Sequence, residues 1–113
     1  MTVKDVTMEN VNLEDGIVAK IGDKYIQIQV GYDNIESEDC DAYLDYTLYA
    51  SDFTDIDGGQ IDFNSEDIDY NKNPRLAVQE VLDSFEDEIE SKEFTLLSEE
   101  DAEDFMYEVE KNW

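Results

Sequence analysis

The spacing of the apolar residues changes at Asn73-Pro74, and this change constrains the fold more than any other feature of the chain. Before that point apolar and polar residues alternate, as in strands with one buried face. After it the apolar residues recur at the period of an α-helix. The sequence therefore predicts an α+β fold, with a sheet in the first half and helices in the second.

The strand half divides into short segments. Residues 16–30 contain two alternating segments joined near Gly22-Asp23, and residues 41–50 form a third. In the third segment one predicted face holds Ala42, Leu44, Tyr46, Leu48 and Ala50, and the other holds Tyr43, Asp45, Thr47 and Tyr49. Short connections favour an antiparallel meander of about four strands with one buried face.

The stretch "DFTDIDGGQIDF", residues 52–63, suggests either a calcium loop or a turn. An EF-hand loop has Gly at position 6 and oxygen ligands at positions 1 and 12. With Gly58 at position 6, those two positions hold Phe53 and Asn64, and placing Gly59 there fails in a similar way. We expect no metal site. The pair Gly58-Gly59 predicts a two-residue hairpin turn instead.

Two helices are predicted after the strands. Asn73 suits the N-cap of the first and Pro74 its first turn, whereas Ser98 starts the second, with Asp101 three residues on. The apolar stripe of the first helix is Val78, Val81, Leu82, Phe85 and Ile89. The stripe of the second is Ala102, Phe105, Met106, Val109 and Trp113. We expect both helices to cover the one buried face of the sheet.

Three further features complete the predicted organisation. The connector "FTLL", residues 94–97, could add a short strand, and the stretch 31–41 is the predicted mobile loop. No internal repeat and no Pro/Gly/Ser linker divides the chain. We therefore expect a single domain over residues 1–113.

The charge is strongly one-sided. The chain has 32 acidic residues against seven Lys and Arg, a formal net charge of −25, yet 41% of its residues are hydrophobic. That apolar content separates a folded domain from a disordered acidic tail. Residues 25–71 contain 13 acids and no Lys or Arg. Internal salt bridges within this stretch do not account for its acidic residues, because it contains no basic ones. The negative charge also repels nucleic acid and anionic membranes, so direct binding to either is not expected.

Catalysis is the class of function that the composition supports least. The chain has no His and no phosphate-binding Gly loop, and its one cysteine, Cys40, lies between Asp39 and Asp41. Those neighbours disfavour a thiolate. We expect neither an enzyme nor a cofactor. No apolar run is long enough to span a bilayer, so the expected compartment is the cytoplasm, that of the host cell if a phage encodes the protein.

Exposed tyrosines beside carboxylates form a suitable surface for Arg and Lys, through hydrogen bonds and cation–π contact. The predicted partner-binding residues are Tyr43, Asp45, Tyr49, Asp52, Asp55, Asp57, Asp62, Glu66 and Asp67. Tyr32 and Tyr70 also lie among acids, in segments predicted as loops. The expected partner is a basic nucleic-acid-binding protein, in particular a nuclease.

The helices carry the same excess of acid. Residues 80–90 hold six acids, about one charge per 2.7 Å of helix axis, whereas one DNA strand carries one per about 3.4 Å. With "SEEDAEDFMYEVEKNW", residues 98–113, the small size, the charge and the sheet-plus-helix pattern, the chain resembles small acidic phage and mobile-element inhibitors of host defence. These include DNA-mimic anti-restriction and anti-CRISPR proteins.

That resemblance implies a stoichiometric inhibitor of a Lys/Arg-lined channel, which in a Cas9-type nuclease includes the arginines that read the PAM. Two alternatives stay open: an immunity protein for a basic nuclease toxin, and an acidic interaction module of a mobile element. The neighbouring genes would separate these alternatives, because a toxin gene beside this one indicates immunity.

Overall fold

The computed structural model of the protein describes residues 2–32, 41–64, 70, 72–89 and 93–111. Its strands are β1 Ile17–Ile21, β2 Lys24–Tyr32, β3 Asp41–Tyr49, β4 Asp55–Asn64 and β5 Thr95–Leu96. Its helices are a short 3-10 helix Val3–Asp5, α1 Pro74–Ser84 and α2 Glu99–Lys111. The five strands form one antiparallel sheet in the order β4-β3-β2-β1-β5. The predicted α+β class and the meander are confirmed, and β5 from the "FTLL" connector adds a fifth strand.

Both helices begin where the sequence predicts. Asn73 is the N-cap of α1 and Pro74 opens its first turn. The amide of Asp101 donates a hydrogen bond to Ser98 Oγ at 3.2 Å, which caps the start of α2. α1 ends at Ser84, before the end of its predicted stripe. Within the described ranges, no helix is both long enough and apolar enough to cross a membrane.

The larger core lies between α1 and one face of the sheet, here called the α1 face. It contains Ala19, Ile21, Ile26, Ile28, Val30, Ala42, Leu44 and Leu48 from the strands and Ala77, Val78, Val81, Leu82 and Phe85 from α1 and its end. The N-terminal segment closes the side of this core with Val6, Val11 and Leu13. Arg75 Nη2 donates to the Lys4 carbonyl at 3.1 Å and fixes that segment to α1.

A second, smaller core lies on the opposite face, here called the α2 face, because α2 packs there. Phe105 and Val109 of α2 are buried with Val18 and Tyr49. Successive residues of a strand point to opposite faces, so Val18 of β1 and Tyr49 of β3 point away from α1. The prediction that both helices cover one face is therefore wrong, since these apolar residues on the second face give α2 its own partners.

The predicted hairpin turn at Gly58-Gly59 is also wrong, because β4 runs through both glycines. The chain reverses at residues 50–54, where the amide of Ala50 donates to the Thr54 carbonyl at 2.8 Å. Phe53 in this turn has a φ of 69°, a left-handed conformation that is strained for a bulky residue. Its ring stacks on Tyr25 with centroids 5.6 Å apart, and this packing offsets the strain.

Gly59 is required by the packing of Tyr46, its partner across β3 and β4. A Cβ at Gly59 would lie 2.6 Å from Tyr46 Oη and 2.9 Å from its Cζ. The tyrosine ring thus occupies the space of the missing side chain, and its edge packs against Phe85 at a centroid distance of 5.4 Å. Gly58-Gly59, the pair that suggested a turn, therefore lies within β4, where the missing side chain of Gly59 lets the Tyr46 ring approach the backbone.

β4 forms one edge of the sheet, with β3 as its neighbour among the described strands. It is ten residues long, whereas β5 at the other edge has two. The register between β3 and β4 shifts near Leu48 and Tyr49, which pair with Asp57 and Asp55 respectively, and leaves Ile56 as an exposed bulge. On this edge strand, exposed acids lie near the start, at Asp55 and Asp57, and again at Asp62.

Candidate partner-binding surface

The helix α2 leaves the far part of the α2 face uncovered, over strands β2, β3 and β4. The residues there form the acid–tyrosine face, defined as Gln29, Tyr43, Asp45, Gln60 and Asp62. Tyr43 pairs with Asp62 across the strands, and Asp45 pairs with both Gln29 and Gln60. All but the half-buried Tyr43 are exposed. The alternation of the sequence thus correctly placed three of the predicted site residues, Tyr43, Asp45 and Asp62, on one surface.

Tyr43 is held in place by a glycine on the neighbouring strand. Gly31 of β2 is its register partner, and a Cβ built on Gly31 would overlap the tyrosine ring, with Tyr43 Cε2 only 2.8 Å away. The ring therefore lies across the glycine, a recognised way in which aromatic side chains compensate for glycine in sheets. An aromatic group fixed in advance loses less conformational entropy when a partner binds.

We expect the substitution Gly31→Ala to destabilise the fold by about 1–2 kcal/mol, because the new methyl group forces the Tyr43 ring out of position. The double variant Gly31→Ala/Tyr43→Ala should lose much less than the sum of the single variants, since it removes the clash. Urea unfolding of the three variants measures this coupling. Additive effects would show that the ring does not rest on Gly31.

Asp52 and Asp55 lie at the hairpin end of β3 and β4 rather than on the acid–tyrosine face. Asp52 Oδ1 accepts hydrogen bonds from Thr54 Oγ1 at 2.6 Å and from the Thr54 amide at 3.2 Å. These bonds lower the pKa of Asp52 and stabilise the turn. Asp55 is exposed as the first residue of β4, opposite Tyr49.

Asp57 belongs to the other side of the sheet. It pairs with Leu48, whose side chain is in the larger core, and it lies close to Glu88 after α1. Desolvation raises the pKa of Glu88, and the negative charge and hydrogen bonding of Asp57 raise it further. Asp57 therefore does not act together with Asp45 and Asp62 on one surface.

Two tyrosines predicted as exposed are buried instead. Tyr49 points toward α2, retains 8% exposure, and meets the Phe105 ring edge-on at 5.3 Å. Burial raises its pKa and also that of Tyr70, which is 2% exposed. The signal that sequence reasoning missed was the row of apolar residues at the α2 end of the second face, Val18, Tyr25 and Tyr49.

The remaining predicted features lie beyond the residues that the structure describes. These are Glu66 and Asp67 of the predicted surface, Cys40 with residues 33–39 of the predicted mobile loop, and Trp113 of the second helical stripe. The side chain of Tyr32 is likewise not described.

Among the described residues, an ion pair joins Lys24 Nζ to Asp23 Oδ1 at 3.2 Å. No described Lys or Arg is within ion-pair distance of Asp45 or Asp62. Asp62 instead accepts a hydrogen bond from Gln60 Nε2 at 2.9 Å. The acid–tyrosine face thus has no described cation to neutralise it.

This unbalanced charge predicts a marked effect of salt on stability. Raising NaCl from 10 to 150 mM should increase the melting temperature by several degrees, about 4 °C for each ~1 kcal/mol of repulsion that screening removes. Calcium at matched ionic strength should add little, as measured by thermal unfolding followed by circular dichroism. A saturable response to micromolar calcium would contradict this expectation.

Comparison with known proteins gives no indication of the function. No protein-family model matches the chain. Searches of curated proteins and of solved structures also find no match. The function is therefore inferred from the chemistry of the acid–tyrosine face and its surroundings.

Proposed function

We propose that the protein is a stoichiometric inhibitor that occupies the Lys/Arg-lined nucleic-acid channel of a host defence nuclease. The observation that carries this proposal is the acid–tyrosine face, where exposed Asp45 and Asp62 are both neighbours of a positioned Tyr43 without a described cation nearby. In this role the protein acts as a nucleic-acid mimic in the cytoplasm. The target is a Cas9-type effector or a restriction enzyme.

The chemistry of the face suits arginine in particular. Asp45 and Asp62 are diagonal neighbours on adjacent strands, a geometry that places Cα atoms roughly 7–8 Å apart. A carboxylate can accept two parallel hydrogen bonds from one guanidinium group, and a tyrosine ring can stack on its flat surface. Two arginines could thus bind the two carboxylates, since Asp62 lies opposite Tyr43 on β4 and Asp45 lies two residues from it along β3. The rigid strands hold all three groups before the partner arrives.

The charge of the whole protein supports the same function. A net charge of −25 attracts a basic channel over a distance and accelerates encounter, most strongly at low salt. Nonspecific DNA binding weakens steeply with salt because it depends on counterion release. Contacts through Tyr43 do not have that dependence. The inhibitor should therefore retain its affinity in moderate salt better than nonspecific DNA does.

An order-of-addition experiment tests the mimicry. The protein is mixed with a purified Cas9-type nuclease of the host, or with a host restriction enzyme, either before or after DNA. Added first, it should prevent DNA loading in a gel-shift assay, and a complex already loaded with DNA should resist it, since both ligands occupy one channel. Equal binding to free and loaded nuclease would exclude mimicry and indicate an allosteric inhibitor or an adaptor.

A further inference from the structure

A groove of about 840 Å³ separates α2 from β1 on the α2 face of the sheet. Val18 and Leu97 line its floor, and Ala102 and Met106 line the wall that α2 contributes. Phe105 and Val109 anchor the helix to the aromatic cluster and leave this side open. Met106 and Leu97 are only partly buried, so apolar surface remains available inside the groove.

The rim of the groove is acidic. Asp15 lies on the strand side, Glu99, Glu103 and Glu110 project from α2, and the described lining residues include no Lys or Arg. Tyr107 also lines the groove and is 64% exposed. An apolar floor under an acidic, aromatic rim matches the two parts of a Lys or Arg side chain, whose methylene stem is apolar and whose end is charged.

We propose that this groove binds a segment of a partner protein in which Lys or Arg alternates with apolar residues. The proposal rests on the proposed function, since it assigns a second contact to the same basic partner. Gln27 lines the groove and Gln29 belongs to the acid–tyrosine face, and the two lie two residues apart on β2. A partner bound to the acid–tyrosine face can therefore extend a segment into the groove.

Charge complementarity selects this occupant over two others. A second copy of the chain carries the same net charge of −25 and would bring acid against the acidic rim. A free polyamine matches the rim but has no branched apolar side chains to fill the floor around Met106 and Leu97. Burial of such side chains contributes most of the affinity of peptides that bind in apolar grooves.

Titration of the isotope-labelled full chain with an eight-residue peptide of alternating Lys and Leu tests the proposal by NMR. The amide signals of Val18, Leu97, Ala102 and Met106 should shift in a saturable way. A peptide with Ser in place of Leu should bind at least about tenfold more weakly, because it leaves the apolar floor empty. Spermine should also bind more weakly than the first peptide.

Two matched variants locate the contact. Glu103→Lys alters the rim, whereas Asp104→Lys makes the same change of charge on an exposed α2 residue outside the lining. The first should weaken peptide binding by about fivefold or more and the second by less than about twofold. Circular dichroism confirms that both fold. Equal weakening by the two variants, equal binding of the Ser peptide, or equal binding of spermine would overturn the proposal.

Failure of the groove proposal can be distinguished from failure of the proposed function. If the peptide fails these criteria while charge reversal at Asp45 and Asp62 still abolishes nuclease binding, the groove proposal is wrong and the proposed function stands. If the peptide meets them while that reversal has no effect on nuclease binding, the groove binds basic segments but the proposed function is wrong.

Discussion

Replacement of both Asp45 and Asp62 by Lys is expected to lower affinity for the proposed nuclease target by about a thousandfold or more. Close charge pairs in a protein interface contribute about 1.5–7 kcal/mol each, and a thousandfold corresponds to about 4 kcal/mol. The reversal replaces two attractions with two repulsions in the centre of the acid–tyrosine face. Calorimetric titration of the purified target at 150 mM salt measures the loss.

The matched control is the double variant Asp87→Lys/Asp104→Lys. Both residues are exposed, one after α1 and one on α2, so the net charge changes by the same amount as in the test variant. At 150 mM salt, charges more than about 8 Å from the contact are largely screened, and binding should change by less than about tenfold. If this control abolishes binding and the test variant does not, the interface lies on the helices instead.

The substitution Phe105→Ala should give the largest loss of stability, about 3–5 kcal/mol. Phe105 is 3% exposed, and its ring centroid lies 4.9 Å from that of Tyr25, 5.3 Å from that of Tyr49 and 5.8 Å from that of Phe53. Removal of the ring leaves a cavity at the contact that attaches α2 to the sheet. Unfolding in urea, followed by circular dichroism, measures the change.

Tyr107→Ala is the control for this prediction, since Tyr107 is on the same helix and 64% exposed, and it should change stability by no more than about 0.5 kcal/mol. Hydrogen exchange should show that Phe105→Ala weakens protection in α2 more than in β2 and β3, because the larger core does not include α2. Uniform loss of protection would mean that the two cores unfold as one unit.

Apolar periodicity was sufficient to predict strands β1 to β3, the two helices and most of the residues that they bury, among them Val81, Leu82 and Phe105. It was not sufficient to predict which face of the sheet receives α2. A helical stripe shows which side of the helix is buried. The face of the sheet that the helix packs against is determined by residues far away in the sequence, here Val18, Tyr25 and Tyr49. Tyrosine at an outward strand position fits either a solvated surface or a second core, so alternation alone could not decide between these arrangements.

The turn between β3 and β4 shows the same limit at a single position. The conformational freedom of glycine favoured a turn at Gly58-Gly59. The chain turns instead at residues 50–54, with Phe53 in a strained conformation. Packing of Phe53 against Tyr25 overrides the local preference. For the candidate surface, alternation placed Tyr43, Asp45 and Asp62 correctly. It could not separate Asp57 from them, because the error at Gly58-Gly59 hid the pairing of Asp57 with Leu48.

The edge of β4 with which no described strand pairs has a consequence for how the protein behaves when it is abundant. A long unpaired strand is the usual place for copies of a protein to join into aggregates. Two copies joined along this edge would bring the aspartates of each β4 close together, Asp55, Asp57 and Asp62 among them. Their repulsion should keep the copies apart, so the protein can reach a high concentration without joining edge to edge, which the proposed one-to-one inhibition would require.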